Sequence, residues 1–416
     1  MNLGTFAGWL PISLLGAVAW GEWFLRQLLG TAYRPLVNDH AETTSVIVLV
    51  YREDPLVLER SLASWLHSDP DEVILVVDQS EQEIIELAQG WQTEHDRIRL
   101  IVVEPPGKRH ALCVGIRAAR FDVAVLTDSD TLWENGFLER LLMGFADARV
   151  AGVGCRQNVL EPGTALWRQV ADWMLDVRFL HYLPCMARRQ AIPCISGRTA
   201  AYRRQAVLPL LEELEFETFR GKQCISGDDG RLTWLILREG WKTAYQMNAR
   251  AWMVFPNTFR GFVRQRTRWS RNSYRCYFRA MWRGWMWQQP LITAVSVVQN
   301  LAGPFILILP VSLLGWALAD GRYGLAATIG VWLLLGRAIK GYRHIRNEPR
   351  ALLLLPLITL VFIVVMIPVK LYALLTLNRQ GWVTRTEGAA VAEGQASSTL
   401  SASFQLGPAD SVEGAA

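Results

Sequence analysis

Carboxylates stand where predicted strands end. Asp78 closes the run DEVILVVD, and Asp128 and Asp130 close a later run in the segment TDSDT. Carboxylates that converge at one sheet edge repel each other unless a cation compensates. Mg²⁺ or Mn²⁺ would do so, because these ions take oxygen ligands and keep positions open for phosphate oxygens. In the alternative reading, the Asp128–Asp130 pair caps a helix over residues 132–145, and Asp78 is a turn residue.

A second carboxylate pair, Asp228 and Asp229, lies in the segment SGDDGRLT. A carboxylate within hydrogen-bond reach of a hydroxyl can act as a general base, particularly if burial raises its pKa. If both members are buried, their mutual repulsion would raise one pKa. The alternative is an N-cap pair for a helix over residues 231–238.

Gly107, Lys108 and Arg109 follow two prolines and open a predicted helix. A helix N-terminus that carries two cations suits a diphosphate group. A solvated basic turn is the alternative. The sequence therefore offers acids for a metal and a base, together with cations for a phosphorylated ligand.

The elements that must position these residues form an alternating pattern. Four apolar, β-branched runs read as strands, and helix-like segments over 55–67, 82–94 and 108–120 separate them; the strands cover residues 45–50, 71–78, 97–103 and 122–128. This alternation predicts an α/β fold with a mostly parallel sheet. In such sheets ligands bind beyond the carboxyl ends of the strands, which is where the acids lie.

Composition narrows the class of protein. The chain has 416 residues, 51% of them hydrophobic, a formal net charge of +5 and a mean hydropathy of +0.15. These values exclude a disordered protein, and so mild a charge gives no reason to expect a nucleic-acid partner. The 6 Cys residues show no C-x-x-C spacing and the 6 His residues no helical pairing, so we expect reduced thiols and no zinc site.

Apolar blocks flank the predicted α/β domain. Residues 3–20 carry no charge and predict a membrane anchor, and the basic residues after it place its C-terminal side in the cytoplasm. Further blocks cover 290–319, 323–336 and 351–377, with a short hairpin between the first two. Either the last block crosses once, leaving residues 378–385 outside, or it is a re-entrant pair that returns them to the cytoplasm. We expect a multi-pass protein of the plasma (inner) membrane.

The segment after residue 258 carries arginines at helical spacing, at positions 264, 268, 271, 275 and 279, with aromatic residues elsewhere around the helix. This pattern predicts an amphipathic helix on the inner leaflet. Attraction to anionic lipid suffices for the arginines from position 271 to 283. The predicted organisation is an anchor at 1–40, a cytoplasmic domain at 41–258, an interfacial helix at 259–289, a membrane region at 290–386 and a disordered tail at 387–416.

The order of the short motifs resembles the processive family-2 glycosyltransferases, most closely the hyaluronan synthases, with cellulose and chitin synthases as wider relatives. The motifs are VYRED, VVD, GKR, TDSDT, CISGRTAAYRR, SGDDGRLT, QRTRW and GWVTR, and the resemblance covers about residues 46–385. The resemblance implies a GT-A nucleotide-sugar domain on the cytoplasmic face. It also implies UDP-sugar donors and a growing polysaccharide that leaves through the protein's own membrane helices.

Each motif also implies roles for its residues. Asp130 and Asp128 would hold Mg²⁺ or Mn²⁺, with Asp130 the direct ligand, and Asp229, beside Asp228, would be the general base. The residues expected at the nucleotide are Tyr51, Glu53, Asp78, Lys108, Arg109, Gln265, Arg266, Arg268, Trp382, Thr384 and Arg385. Those expected at the acceptor sugar are Trp269, Cys194, Ser196, Gly197 and Tyr202.

The sequence departs from the family pattern beside the acceptor. Arg198 stands where a proline is usual, and Gly230 stands where an arginine is usual. The closing motif reads GWVTR where a glycine is commoner before the threonine, and one N-terminal span is clear where two are frequent. These departures leave the reaction type unchanged but leave the sugars open.

Three functions remain in competition. The first is a membrane synthase that polymerises UDP-GlcNAc and UDP-GlcA into a hyaluronan-like glycan by an inverting mechanism. The second is a transferase of different sugars, making a chitin- or cellulose-like polymer or adding one sugar to a lipid. The third is a catalytically inactive scaffold of an export complex. The carboxylate set favours an enzyme, and the sequence does not fix the oligomeric state.

Overall fold

The computed structural model describes residues 14–104 and 107–380, without the side chains of residues 14–18. They divide into two compact units. We call residues 35–160 and 194–254, with residue 380, the sheet unit, and residues 14–34, 161–193 and 255–379 the helical unit. Residues 1–13 of the predicted anchor, the GWVTR motif from residue 381 and the predicted disordered tail lie outside the described residues.

The strands of the sheet unit are β1 Thr44–Val50, β2 Glu72–Asp78, β3 Ile98–Val103, β4 Val123–Asp128, β5 Thr131–Trp133, β6 Val150–Val159, β7 Thr199–Arg203, β8 Thr218–Phe219, β9 Lys222–Gln223 and β10 Lys242–Met253. The four predicted strands are confirmed to within one residue at each end. Eight of the described strands form one mixed sheet, in the order β3-β2-β1-β4-β7-β6-β10-β5, and β8 pairs with β9 in a small hairpin.

The pairing aligns the strand ends that carry the acids. Strands β3, β2, β1 and β4 pair in parallel, β6 pairs with β10 in parallel, and β7 lies antiparallel between β4 and β6. In this register Leu49 of β1 lies beside Asp128 of β4. The chain leaving β1 therefore runs next to the TDSDT segment.

Helices cover the sheet because both of its faces are apolar. The helices of this unit are α2 Pro55–Leu66, α3 Gln82–Glu94, α4 Lys108–Ala118, α5 Phe137–Leu142, α8 Arg204–Val207, α9 Leu211–Glu215 and α10 Asp228–Arg238. Helix α4 packs closely on the sheet at Gly115, where a Cβ atom would lie 2.5 Å from Ile47. This contact fixes the start of α4, and with it Lys108, relative to β1.

The helical unit is built from long apolar and amphipathic segments. Its helices are α1 Leu14–Thr31, α6 Leu166–Asp176, α7 Leu183–Ala187, α11 Phe259–Trp282, α12 Leu291–Ala319, α13 Tyr323–Lys340, α14 Tyr342–Asn347, α15 Leu355–Leu360 and α16 Ile367–Leu375. A π-helical turn, Val177–Tyr182, joins α6 to α7, and another, Val361–Met366, joins α15 to α16.

Among the described residues, two stretches are long and apolar enough to cross a membrane, Leu291–Ala319 and Pro349–Leu375. The predicted hairpin is present: α12 and α13 pack together through Leu313 and Ile329, and Gly321 makes the turn with a φ of 70°. A positive φ costs glycine little, which explains its place there.

The last apolar stretch runs along helix α11. Ile358 and Met366 share a buried cluster with Phe262 near the start of α11. Farther along, the Arg271 guanidinium donates to Thr376 at 2.9 Å and that of Arg275 to the Leu377 carbonyl at 3.2 Å. The stretch is one continuous helical segment, and its end lies beside the middle of α11.

These contacts correct one expectation from the sequence. Arg275 was expected to attract lipid, but its side chain is buried and bound to the end of the last helix. The physical reason is that the carbonyls of a helix C-terminus lack partners within the helix and accept hydrogen bonds from cations. Helical spacing of arginines cannot distinguish this role from contact with lipid.

Candidate active site

The TDSDT segment forms a buried turn beyond strand β4. Ser129 and Asp130 are buried, and the Ser129 hydroxyl donates to the Glu53 carboxylate, which is also buried. The proposed cap for residues 132–145 is wrong, since residues Thr131–Trp133 form strand β5 and helix α5 begins later, after Gly136. The two aspartates are therefore not used as helix caps.

Lys108 joins the two carboxylate pairs. Its ammonium lies 3.1 Å from Asp128 Oδ1 and 3.7 Å from Asp228 Oδ2. Acids that are distant along the chain thus meet around one cation. A lysine between two carboxylates relieves the repulsion that their approach creates.

Asp228 begins helix α10, and burial raises the pKa of its carboxyl group. The neighbouring Asp229 carboxylate raises this pKa further, and the Lys108 ammonium opposes the shift. The N-cap position belongs to Gly227, with a φ of 78° and no capping side chain. The alternative reading of the two aspartates as a cap pair is therefore wrong.

Asp229 lies against the loop that contains Cys194, Ser196 and Gly197. Its Oδ2 accepts from the Gly197 N–H at 3.3 Å, and its Oδ1 accepts from the Gly230 N–H at 2.8 Å. The Cys194 sulfur lies 4.0 Å from Oδ2. A Cβ atom on Gly197 would lie 2.9 Å from Asp229 Cβ and 3.3 Å from Asp228 Oδ2. A glycine is therefore required for this close approach.

The Arg198 carbonyl connects this loop to the TDSDT turn. It accepts from the Asp128 N–H at 3.0 Å and from the Thr127 hydroxyl at 3.3 Å. The Arg198 guanidinium donates to the Val254 carbonyl at 3.1 Å. The side chain of Arg198 thus fixes the loop.

Two of the predicted contact residues are used inside the protein. Tyr202 lies in strand β7 and is buried; its hydroxyl bonds to Thr233 at 3.4 Å, and burial raises its pKa. Arg109 is buried as well, and it donates to the Glu217 carboxylate at 2.5 Å and to the Ser226 carbonyl at 3.1 Å. Sequence reasoning missed Glu217, because no motif contains it.

Arg109 holds the chain that enters helix α10. It also donates to the Gly227 carbonyl at 3.3 Å, so three acceptors between residues 217 and 227 bind one guanidinium. Glu217 binds Arg231 of α10 at 3.0 Å in addition. This network fixes the position from which Asp228 and Asp229 project, and it makes Arg109 a positioning residue.

The other residues expected at the nucleotide lie near the same strand ends. Asp78 is buried at the end of β2, and its Oδ1 accepts from the Ser80 hydroxyl at 2.7 Å and the Ser80 N–H at 3.0 Å. Tyr51 follows β1, and its ring lies 5.4 Å from the guanidinium carbon of Arg52. Arg52 has a φ of 52°, an uncommon value for a side-chain-bearing residue.

In the helical unit, the QRTRW motif lies in the first turns of α11. The guanidinium carbon of Arg266 lies 4.9 Å from the Trp269 ring centre, and that ring meets Phe255 edge-on. Gln265 is 3% exposed, and its Oε1 has no hydrogen-bond partner among the described residues. A buried acceptor without a partner is costly, so a ligand donor would stabilise it. Arg268 is half-buried in the next turn.

Trp382, Thr384 and Arg385 lie outside the described residues. The described chain reaches Gln380, whose side-chain amide donates to the Cys224 sulfur at 3.8 Å. Cys224 lies four residues before Asp228 in the sequence.

The carboxylates of the TDSDT turn fit a hard divalent metal, because they offer oxygen ligands at the end of a strand. Asp130 and Asp128 would hold such an ion, and diphosphate oxygens would complete its ligands. The positive charge of Lys108 would also attract the diphosphate. The geometry suits the transfer of a group away from a phosphorylated leaving group onto a hydroxyl.

Comparison with known proteins agrees with this chemistry. The model of the family "Glycosyltransferase like family 2" matches residues 40–272. An N-acetylglucosaminyltransferase of Sinorhizobium fredii is 32% identical, covering 85% of this chain and 86% of the relative. One of Rhizobium leguminosarum bv. viciae is 30% identical, covering 85% and 84%.

Among solved structures, a mannosyltransferase from Pyrobaculum calidifontis, in complex with GDP-Man and Mn²⁺, matches with a TM-score of 0.60. It is 22% identical, and the match covers 84% of this chain and 96% of that one. This likeness confirms a GT-A-like fold with a mixed, mostly parallel sheet.

Proposed function

We propose that this chain, which belongs to glycosyltransferase family 2, transfers N-acetylglucosamine from UDP-GlcNAc and extends a β-linked amino-sugar chain at a membrane. The glycosyltransferase activity follows from the family, whereas the donor and the product are the proposal. The observation that carries it is the meeting of Asp128 and Asp228 at Lys108, with Asp229 on the Gly197 loop. The names of the relatives, which are N-acetylglucosaminyltransferases, support the donor.

Asp229 acts as the general base in this proposal. Its carboxylate is only half-buried and lies on a loop that a sugar can approach, whereas Asp228 is buried and pairs with Lys108. Asp229 takes the proton of the acceptor hydroxyl as that oxygen attacks the anomeric carbon from the face opposite UDP. The configuration at that carbon is inverted, and no covalent enzyme intermediate is needed.

The leaving UDP requires charge compensation. Mg²⁺ or Mn²⁺, held by Asp130 and Asp128, would neutralise the diphosphate as its bond to the sugar breaks. Lys108 donates to the diphosphate, and Gln265 and Arg266 are proposed to bind it as well. The uridine is contacted by Glu53, Asp78 and Tyr51. Four further residues are proposed to bind the nucleotide: Arg268, Trp382, Thr384 and Arg385. Trp269 offers a flat face on which the acceptor sugar stacks.

The hyaluronan-like product of the sequence-based expectation requires a second donor, UDP-GlcA. The names of the relatives mention one sugar and give that second donor no support. We therefore place a polymer of GlcNAc first, with a hyaluronan-like glycan as the second candidate. Two helices of the described chain that could cross a membrane support catalysis at a membrane. We propose that this is the inner membrane, with the sheet unit in the cytoplasm, because the basic residues after the first apolar block favour that side.

The test is product analysis. Membranes containing the protein are incubated with radiolabelled UDP-GlcNAc, with UDP-GlcA, and with both, each with Mg²⁺ or Mn²⁺ or with excess EDTA. We expect UDP release and oligomeric products with UDP-GlcNAc alone, lost in EDTA. Products that require both donors would establish the second candidate, and transfer that persists in EDTA would contradict the metal site. A single added sugar on a lipid would contradict chain extension.

A further inference from the structure

Thr233 lies one helical turn after Asp229 in helix α10, and its side chain is fully buried. Its hydroxyl donates a hydrogen bond to the Asp229 carbonyl at 2.7 Å. A threonine inside a helix often bonds to the carbonyl four residues earlier, so this contact alone requires no function. The same oxygen, however, also accepts hydrogen bonds from two groups outside the helix.

The first of these groups belongs to the acceptor loop, by which we mean residues 194–198. The Ile195 N–H donates to the Thr233 hydroxyl oxygen at 3.1 Å. The second group is the Tyr202 hydroxyl of strand β7, which lies 3.4 Å away. Because the single proton of Thr233 goes to the Asp229 carbonyl, Tyr202 is the donor in this contact. The proton and both lone pairs of the Thr233 hydroxyl are therefore used.

The start of the acceptor loop is held from a second direction by packing on the sheet. Ile195 is 2% exposed, and its Cδ1 atom would lie 2.7 Å from a Cβ atom on Gly152 of strand β6. Its Cγ2 atom would lie 3.3 Å from a Cβ atom on Gly154 of the same strand. The other end of the loop is bonded at the Arg198 carbonyl to the TDSDT turn. The bond to Thr233 is thus what joins the start of the loop to the helix that carries Asp229.

We propose that Thr233 is a positioning residue, which fixes the acceptor loop relative to the Asp229 carboxylate. Two residues after Ile195, the Gly197 N–H donates to Asp229 Oδ2, so both bonds tie this short stretch to the same turn of α10. Movement of the loop would displace the acceptor hydroxyl from the oxygen that takes its proton. The inference rests on the proposed role of Asp229 as the general base, and Thr233 itself touches no reacting atom.

The experiment uses the full-length protein in membranes. Thr233→Val keeps the shape of the side chain and removes the hydroxyl, whereas Thr233→Ser keeps the hydroxyl. The matched control is Thr359→Val, since Thr359 is also buried in a helix and donates to the carbonyl four residues earlier, that of Leu355, at 2.8 Å. Among the described residues, Thr359 forms no bond to a second segment. The readouts are kcat for UDP release, the affinity for UDP and the melting temperature.

A role in stability alone would lower the melting temperature and leave the rate per folded molecule unchanged. For Thr233→Val we expect a loss of kcat of about 10- to 100-fold at nearly unchanged UDP affinity, because a displacement of about 1 Å near the reacting atoms costs on the order of 100-fold in rate. Thr233→Ser and Thr359→Val should keep the wild-type kcat. Wild-type kcat in Thr233→Val, or equal losses in the valine and serine variants of Thr233, would overturn the proposal.

Cys194 provides a readout that does not depend on activity. It directly precedes Ile195 and is half-buried, whereas the other five cysteines are buried. The rate at which N-ethylmaleimide alkylates Cys194 is measured without substrate, by mass spectrometry of its peptide. In Thr233→Val this rate should rise by at least about threefold, the change expected for local opening when one hydrogen bond is lost. Equal rates in Thr233→Val, wild type and control would overturn the proposal.

The two readouts separate this inference from the proposed function. If the wild type released no UDP from UDP-GlcNAc, the proposed donor would be wrong. The alkylation rates would still decide whether the Thr233 hydroxyl holds the acceptor loop.

A double variant, Thr233→Val with Tyr202→Phe, covers the case in which Thr233→Val alone does not fold. Removing only the Thr233 hydroxyl leaves the buried Tyr202 hydroxyl without its acceptor, which is costly, and phenylalanine removes that donor as well. The melting temperature shows which variant is folded. The folded double variant should show the same loss of kcat and the same faster alkylation. A wild-type value in either measurement contradicts the proposal.

Discussion

The N–H of Gly197 donates a hydrogen bond to Asp229 Oδ2 at 3.3 Å, and the two residues approach so closely that a Cβ atom on the glycine would lie 2.9 Å from Asp229 Cβ. The loop expected to receive the acceptor sugar is therefore in direct contact with the carboxylate expected to take its proton. This contact connects two motifs that lie more than thirty residues apart in the sequence.

Gly197→Ala should damage catalysis more than folding. The added methyl group must displace either the loop or Asp229, and a displacement of about 1 Å near the reacting atoms costs on the order of 100-fold in rate. The overpacking itself costs about 1–3 kcal/mol. We would measure kcat for UDP release and the melting temperature.

Gly90→Ala is the matched control, since its Cβ would meet no atom within 4 Å. It should leave kcat unchanged and stability equal or slightly higher, as expected for a helix interior. Wild-type kcat in Gly197→Ala would show that the contact with Asp229 has no catalytic role.

Arg109→Lys should lower kcat with little effect on the affinity for UDP. Lysine keeps the charge, but one ammonium cannot match a guanidinium that reaches Glu217, Ser226 and Gly227. The readouts are kcat, KM and UDP affinity, with added guanidinium ion as a chemical rescue of Arg109→Ala. The control is Arg117→Lys on the same helix, where the arginine is half-exposed.

A different outcome would support the sequence-based prediction that Arg109 binds the nucleotide. If Arg109→Lys lost UDP affinity while kcat at saturation stayed normal, the guanidinium would act on the ligand and not on the chain before Asp228.

Lys108→Met should make stability more sensitive to pH. Burial already raises the pKa of Asp228, and Lys108 is the cation that opposes this shift. An acid with a raised pKa in the folded state favours folding below its unfolded pKa, and this contribution is lost as pH rises through the folded pKa. Without Lys108 the pKa of Asp228 should be raised further, so the loss of stability as pH rises should be larger. Melting temperatures between acidic and neutral pH measure it, and parallel curves for variant and wild type would contradict the pairing.

Trp269→Ala should shorten the product more than it lowers UDP binding. The indole is held between Arg266 and Phe255, so its position is fixed before a sugar arrives. Loss of stacking should cost acceptor affinity and release the chain early. Product length on a gel is the measurement, with Trp282→Ala, an exposed residue at the end of the same helix, as the control. Full-length product from Trp269→Ala would remove this residue from the acceptor site.

The strands and the acids at their ends could be predicted because β-branched runs, helical spacing and strand-end carboxylates are local signals. Asp128, Asp130, Asp228 and Lys108 were identified from such signals, and the structure brings Lys108 to both carboxylate pairs.

The roles of the other polar residues could not be predicted, because they depend on tertiary contacts that the sequence does not reveal. Arg109 and Tyr202 have residue types suited to a ligand, yet both are buried among protein partners. Arg275 has the spacing of a lipid-facing residue but binds the end of a helix a hundred residues later. Whether a polar side chain faces a ligand, a lipid or the core is decided by tertiary packing.

The most direct test compares Asp229→Asn with the wild type for UDP affinity and for UDP release from UDP-GlcNAc in the presence of Mn²⁺. Asparagine keeps the shape and the contact with Gly197 but cannot take a proton. We predict wild-type UDP affinity and a loss of turnover of at least about 100-fold. Normal turnover in this variant would contradict the assignment of the base and, with it, the proposed mechanism.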